Sequence, residues 1–149
     1  MKREIESKII EEINKGNHIL LKGRHGIGKS YLAQAIVRSR KRMKSELWFY
    51  SPFCKPPKQI MLSALEFILP TGKDDENWKL YRRGTIIELS QNISAVLKSQ
   101  KKKLVLVIDE LHTISANASS SYHLLMQHSD NVIFFTTATE QYLENKINK

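Results

Sequence analysis

The sequence predicts an α/β fold in which helices cover both faces of a parallel sheet. Short apolar runs of strand length alternate along the chain with longer runs in which apolar residues recur at helical spacing. Residues 104–108 are continuously apolar and mostly β-branched, which is typical of a strand covered on both faces. A chain of 149 residues can bury about two-thirds of its unfolded surface in one core. We therefore expect one domain, residues 1–149, built as a three-layer sandwich.

The individual elements follow from this periodicity and from residues that start or stop a helix. Isoleucines at helical spacing predict a first helix that ends at Gly16, and Pro57 opens a later helix that Pro70 ends. The helix after the first strand is expected to bury Leu32, Ala35, Ile36 and Met43, and a single long helix is expected to bury Ile86, Leu89, Ile93 and Val96. The predicted strands are residues 18–22, 47–50, 104–108 and 132–136, and the predicted helices cover about residues 5–14, 29–42, 57–69, 79–100 and 117–128.

A glycine-rich motif lies between the first predicted strand and the following helix. Residues 23–30 read GRHGIGKS and match the phosphate-binding pattern GxxxxGK[ST]. The glycines let the backbone turn so that its N–H groups point at a polyphosphate, and the helix N-terminus favours the same anion. Lys29 can reach the β- and γ-phosphates, and the Ser30 hydroxyl can bind Mg²⁺. The nucleotide-binding residues predicted from this motif are Gly23, Arg24, His25, Gly26, Ile27, Gly28, Lys29, Ser30 and Tyr31.

A second motif ends the apolar strand predicted at residues 104–108. The strand is followed directly by Asp109 and Glu110. In a protein with a phosphate-binding loop, a carboxylate at this position holds Mg²⁺, usually through its water shell. The next carboxylate is placed to orient or deprotonate the water that attacks the γ-phosphate. Asp109 is therefore predicted to bind the metal, and Glu110 to act as the catalytic base beside Lys29.

Three segments of the chain resemble the nucleotide-contacting segments of AAA+ ATPases. They are the loop at residues 23–30, the strand with its two acids at 104–110, and the strand at 132–136. The similarity is to the small archaeal, origin-recognition and transposition-helper branches. It implies ATP and Mg²⁺ as cofactors and a polar sensor residue near the γ-phosphate after the third strand. Position by position the sensor is Thr139, with Thr136 and Thr137 as alternatives.

The resemblance also implies what the domain contains beyond these segments. AAA+ sheets have the strand order 5-1-4-3-2, and the fifth strand, an arginine finger and a helical lid come after the sensor. Only residues 140–149 follow Thr139. The expectation is therefore a P-loop domain without a lid, with strand order 1-4-3-2 and residues 18–22 at a sheet edge. Because the resemblance places the arginine finger after the sensor, we expect slow intrinsic hydrolysis that a homo-oligomer or a partner protein accelerates. Residues 51–103 are expected to hold additional helices.

The charge of the chain points to a polyanion as a second partner. It carries 24 Lys and Arg against 15 Asp and Glu, a formal net charge of +9. The basic residues concentrate in residues 38–44, 79–83 and 98–103. They predict nucleic-acid binding that is insensitive to sequence, because the chain has no recognisable base-reading module. The alternative is a solvated surface, since basic residues in a last helical turn also complement the helix dipole.

Composition excludes several other classes of protein. With one cysteine there is no disulfide framework, and the five histidines lack the spacing of a zinc site. No apolar run approaches the ~20 residues that a membrane span needs, and no signal peptide begins the chain. A cytoplasmic protein without a membrane partner is expected.

Three functions remain open from the sequence. The first is an ATPase coupled to DNA or to a partner protein. The second is a nucleotide-dependent binding switch, in which loops order against the γ-phosphate and hydrolysis is slow or absent. The third is a small-molecule kinase, which shares the loop but needs an acceptor pocket that the sequence does not reveal.

Overall fold

A computed structural model describes residues 2–23, 28–40, 43–52, 55–109 and 116–139 of the chain. These residues form helices and strands of an α/β protein, as predicted. The four strands are β1 (Ile19–Gly23), β2 (Glu46–Ser51), β3 (Lys103–Ile108) and β4 (Val132–Thr139). The six helices are α1 (Lys2–Asn14), α2 (Lys29–Arg40), α3 (Pro57–Ile68), α4 (Trp78–Arg83), α5 (Ile86–Gln100) and α6 (Ala116–His128), with a short 3₁₀ turn at Gly72–Asp74.

The four strands form one parallel sheet in the order β1-β4-β3-β2, which confirms the predicted topology. Because all strands run the same way, their carboxyl ends lie at one edge of the sheet, where ligands bind in open α/β sheets. Strand β1 is the outermost strand on one side, and its Leu20 is 43% exposed. The side chain of the preceding His18 reaches β4, where its Nδ1 accepts a hydrogen bond from the backbone N–H of Phe134 at 3.0 Å.

Two hydrophobic layers lie on opposite faces of the sheet. Helices α1 and α2 cover one face, where Ile13 and Ile36 pack against Val107 of β3 and Phe135 of β4. Helices α3, α5 and α6 cover the other face, and their core is formed by Leu65, Ile93, Tyr122, Leu106 and Phe134, among other residues. Alternate residues of β3 enter the two layers, as the continuous apolar run predicted. This is the expected three-layer sandwich.

The prediction of one long helix over residues 79–100 is wrong. Two helices occupy this range, and Gly84 and Thr85 form the non-helical connection between them. Thr85 forms a capping box with Glu88: its hydroxyl accepts from the Glu88 N–H at 3.2 Å, and the Glu88 carboxylate accepts from the Thr85 N–H at 3.4 Å. This reciprocal pair satisfies N–H groups at the start of α5 and allows a new axis to begin there. Together with α3 and α4, α5 provides the additional helices expected between β2 and β3.

The buried faces of two helices also differ from the prediction. Helix α2 ends at Arg40, so Met43 lies beyond it and is 42% exposed. The residues of α2 that are buried against the sheet are Leu32, Ala33 and Ile36, whereas Ala35 is only partly covered. In α5 the buried residues are Leu89, Ser90, Ile93, Ser94 and Leu97, with Ile86 and Val96 at the margin of this face.

Candidate nucleotide-binding site

The two ends of the predicted phosphate loop lie at the carboxyl edge of the sheet, at the end of β1 and the start of α2. Strand β1 ends at Gly23 and α2 begins at Lys29, so the two ends of the loop are held by regular structure. Gly28 has a φ of +86°, in the region that favours glycine, and its carbonyl accepts the N–H of Leu32 at 2.9 Å. The predicted contacts Arg24, His25, Gly26 and Ile27 lie outside the described residues.

Lys29 and Ser30 occupy the first turn of α2, and both side chains are partly exposed. Tyr31, the last residue of the predicted contact set, is 59% exposed. The first turn of a helix presents backbone N–H groups without intrahelical acceptors and the positive end of the helix dipole. This position gives Lys29 and Ser30 the surroundings that an anionic phosphate requires.

Asp109 is a buried carboxylate immediately after β3. Only 2% of the residue is exposed, and its backbone N–H donates to the carbonyl of Ser51 at 3.0 Å, which continues the β2–β3 pairing. Its Oδ2 accepts a hydrogen bond from the Tyr50 hydroxyl at 2.8 Å, and its Oδ1 accepts one from the Thr137 hydroxyl. Hydrogen bonds to an anion offset part of the cost of burying it. Asp109 is therefore held from both sides, by β2 and by β4.

Strand register explains why these three side chains meet. Val107 of β3 pairs with Tyr50 on one side and with Phe135 on the other. Asp109 is two residues beyond Val107, and Thr137 is two residues beyond Phe135, so both project to the same face of the sheet. Tyr50 lies beside Val107 in the sheet, and its long side chain reaches the carboxylate of Asp109. The face is the one that α2 covers.

Two residues of this arrangement were missed by sequence analysis. The sequence predicts Tyr50 only as the last residue of a strand, and it assigns no role to Gln34 of α2. The Gln34 side-chain amide donates to the Tyr50 hydroxyl at 3.1 Å. The alternation of side chains between the two faces of β2 could have indicated Tyr50, because it places Tyr50 on the face that α2 covers.

The three threonines proposed as sensor occupy different environments. Thr137 contacts Asp109, whereas the hydroxyl of Thr136 is on the other face and donates to the carbonyl of Ile19 at 3.3 Å. Thr139 pairs in register with Gly23, so its backbone lies beside the start of the loop, but its side chain lies outside the described part of the structure. The predicted base Glu110 also lies outside the described residues.

The donor set at this edge fits a hard divalent cation. Ser30 provides a hydroxyl and Asp109 a carboxylate, both oxygen ligands of the kind that Mg²⁺ prefers. No cluster of three His, Cys, Asp or Glu side chains occurs within the described residues. Magnesium commonly binds through one or two carboxylates together with substrate phosphates and water, so this sparse set is compatible with it.

The three basic clusters are not equivalent. Arg40, Lys98 and Lys103 each form an ion pair, with N–O distances of 3.0 Å to Glu46, 3.2 Å to Asp130 and 3.7 Å to Glu46 respectively. On α4, by contrast, Lys79, Arg82 and Arg83 form no ion pair with any residue that the structure describes. Arg82 also lines a cavity of about 370 Å³ together with Lys55, Lys73 and Trp78. Arg40 and Lys103 are therefore engaged by the buried Glu46, whereas the cations of α4 are exposed.

In the described ranges, no helix has the length and apolar character needed to cross a membrane.

Comparison with known structures shows the same fold in ORC proteins. The ORC2 protein of Aeropyrum pernix, solved as ADPNP–ADP complexes, aligns with a TM-score of 0.62 and 16% identity, over 99% of this chain and 43% of that protein. A structure of Drosophila ORC bound to DNA aligns with a TM-score of 0.63 and 19% identity, over 93% of this chain and 76% of the other. The chain thus spans less than half of the archaeal protein.

Comparison of the sequence with family models identifies the family more directly. No curated protein matches the chain at a significant level. A family model described as "AAA domain", however, matches residues 13–146, which is nearly the whole chain. Together with the parallel sheet in the order β1-β4-β3-β2, this match shows that the chain belongs to the AAA+ family of P-loop ATPases.

Proposed function

We propose that this protein binds ATP with Mg²⁺ and hydrolyses it, and that turnover is coupled to nucleic acid or to a partner protein. The observation that carries the proposal is the buried carboxylate of Asp109 at the carboxyl edge of the sheet. The same edge holds the end of β1 and the start of α2, which enclose the motif GRHGIGKS. An AAA+ fold and this juxtaposition together favour a nucleotide site over a purely structural turn.

Each residue of the proposed site has one role. Lys29 binds the β- and γ-phosphates, and Ser30 and Asp109 hold Mg²⁺, Asp109 through the water shell of the ion. When bound, the ion supplies positive charge that neutralises the phosphate oxygens. Glu110 orients and deprotonates the attacking water, and Thr139 contacts the γ-phosphate. Thr137 supports Asp109 from β4.

Two observations support coupling to other molecules. The first is the basic cluster of Lys79, Arg82 and Arg83 on α4, which forms no ion pair with a residue that the structure describes; Drosophila ORC, which has the same fold, was solved bound to DNA. The second is that β1 is the outermost strand of the sheet within the described residues, with Leu20 43% exposed. An open strand edge favours association with another chain. We propose that such a partner, or a second copy, supplies a cation to the γ-phosphate.

Calorimetric titration of ATP with Mg²⁺ tests the binding site. Lys29→Ala should weaken binding by at least about tenfold, because the phosphates lose a charge-assisted contact. Lys8→Ala is the matched control, since Lys8 is an exposed residue of α1. Equal affinity in the wild type and in Lys29→Ala would refute the assignment of the loop.

Steady-state phosphate release tests hydrolysis. Glu110→Gln keeps the shape of the side chain but removes the base, so ATP binding should persist while turnover falls by two or more orders of magnitude, as is roughly typical for loss of a general base. A wild type that binds ATP but releases phosphate no faster than Glu110→Gln would instead identify a binding switch. Transfer of phosphate to a small acceptor would identify a kinase.

A further inference from the structure

The Tyr50 hydroxyl connects the helix after the phosphate loop with the buried carboxylate. It accepts a hydrogen bond from the side-chain amide of Gln34 at 3.1 Å and donates to Asp109 Oδ2 at 2.8 Å. A hydroxyl has one proton, so accepting from Gln34 leaves that proton directed at the carboxylate. Three elements that are far apart in the chain, α2, β2 and the end of β3, are joined by these two bonds.

The geometry of α2 places this connection beside the proposed metal ligand. Gln34 follows Ser30 by four residues, so the two side chains lie one above the other on the same face of the helix. The face that carries Gln34 is directed at Tyr50, and through it at Asp109. A shift of α2 relative to β3 would therefore have to break or lengthen one of the two bonds.

The orientation of Asp109 depends on both of its hydroxyl partners. Thr137 donates to Oδ1 from one side and Tyr50 donates to Oδ2 from the other. With both bonds in place, rotation of the carboxylate about its last side-chain bond is restricted. Each oxygen retains a second lone pair, which can accept a hydrogen bond from a water of a hydrated ion. Without the Tyr50 hydroxyl only Oδ1 is held, and the carboxylate can turn.

We propose that Tyr50 is a positioning residue that holds Asp109 in the orientation in which it binds the magnesium–ATP complex. The proposal rests on the function proposed above, and it assigns to β2 a part in metal binding that its sequence did not reveal. In this proposal the Tyr50 hydroxyl acts on the metal site through Asp109. Its loss should therefore weaken the contribution of Mg²⁺ to ATP binding, and should leave the binding of metal-free ATP unchanged.

The test compares ATP affinity at saturating Mg²⁺ with ATP affinity in EDTA for each protein. The ratio of the two affinities measures the contribution of the metal. Tyr50→Phe should lower this ratio by about tenfold or more, the range in which loss of a residue that orients a metal ligand usually falls. Gln34→Met, which removes the donor to Tyr50 but leaves the tyrosine in place, should lower it by less. Tyr81→Phe on α4 removes a hydroxyl on the opposite side of the sheet and should leave the ratio unchanged.

The outcomes separate this inference from the function on which it rests. A wild type that binds no ATP would overturn both. A wild type that binds magnesium–ATP through Lys29, with an equal or larger ratio in Tyr50→Phe, would overturn the role of Tyr50 alone. A Tyr50→Phe variant with a lower melting temperature and an equal loss of affinity with and without Mg²⁺ would show a merely structural tyrosine, and would also overturn it.

Discussion

Arg40 and Glu46 form the most deeply buried ion pair among the residues that the structure describes, with Nη2 3.0 Å from Oε1 and side chains 16% and 5% exposed. Trp48 Nε1 donates to the same Oε1 at 2.6 Å, and Lys103 Nζ lies 3.7 Å from Oε2. The cluster joins the end of α2 to the first residues of β2 and β3. It lies at the amino edge of the sheet, opposite the proposed nucleotide site, so its role is to hold the fold together.

Replacement of Glu46 by alanine should destabilise the protein by about 2–4 kcal/mol, because it removes the carboxylate that Arg40, Lys103 and the Trp48 indole share and leaves the partly buried Arg40 without its anionic partner. Urea denaturation measures the change. Glu11→Ala is the control: Glu11 pairs with Lys15 on the exposed face of α1, and its hydrogen bond raises the pKa of Lys15. Loss of that exposed pair should have no measurable effect on stability. Equal stabilities for wild type and Glu46→Ala would show that the cluster is energetically neutral.

The capping box at the start of α5 predicts a smaller, local effect. Thr85→Ala removes the side chain that accepts the Glu88 N–H, and should cost about 1 kcal/mol in denaturant unfolding. Thr71→Ala provides the comparison, because Thr71 precedes the 3₁₀ turn and its side chain makes no capping hydrogen bond. The prediction fails if the two alanine variants lose the same stability.

Binding of nucleic acid should depend on salt and on the α4 cluster. If Arg82 and Arg83 contact phosphates, replacing both with glutamine should reduce the slope of log affinity against log salt by about 1–2. Lys98→Gln should reduce the slope by less, because the Asp130 carboxylate 3.2 Å from the Lys98 ammonium group offsets part of its charge. In the cluster at residues 98–103, joint replacement of Lys101 and Lys102 by glutamine tests whether these lysines also contact phosphates.

Lys103 is left in place in that test because its ammonium group lies beside Glu46 and donates to the Ile13 carbonyl at 3.2 Å. A triple replacement would therefore confuse lost stability with lost binding. Absence of any DNA or RNA binding at low salt would assign all three clusters to the solvated surface.

Hydrolysis should depend on protein concentration or on an added partner. If another chain supplies a cation to the γ-phosphate, turnover per molecule should rise as the protein self-associates, in parallel with the mass measured by light scattering. Catalysis by an arginine finger supplied in trans is worth about 10³–10⁵ in rate, so the effect should be large. Rapid turnover that stays constant per molecule in a monomeric sample would contradict this prediction.

The local sequence pattern predicts the structure correctly where it agrees with the packing. The apolar run at residues 104–108 is a strand in the structure because both of its faces are covered, and Pro57 begins a helix as predicted. It failed between residues 79 and 100, where helical spacing continues across Gly84 although the helix does not. Apolar periodicity alone cannot detect such a break, since both segments pack on the same core; the T-x-x-E pattern of the capping box was the better signal.

The sequence by itself determined the class of the protein: a strand, a phosphate-loop motif and a helix, followed by a buried strand that ends in two acids. These features are local, because each depends on residues that are neighbours in the chain. Only the tertiary structure decided which side chains surround Asp109. Tyr50 and Thr137 lie 59 and 28 residues away from it in the chain, and they meet it because the register of three parallel strands places them on one face. It also decided that Arg40 and Lys103 serve the fold, since their partner Glu46 reaches them only once β2, β3 and α2 have packed together.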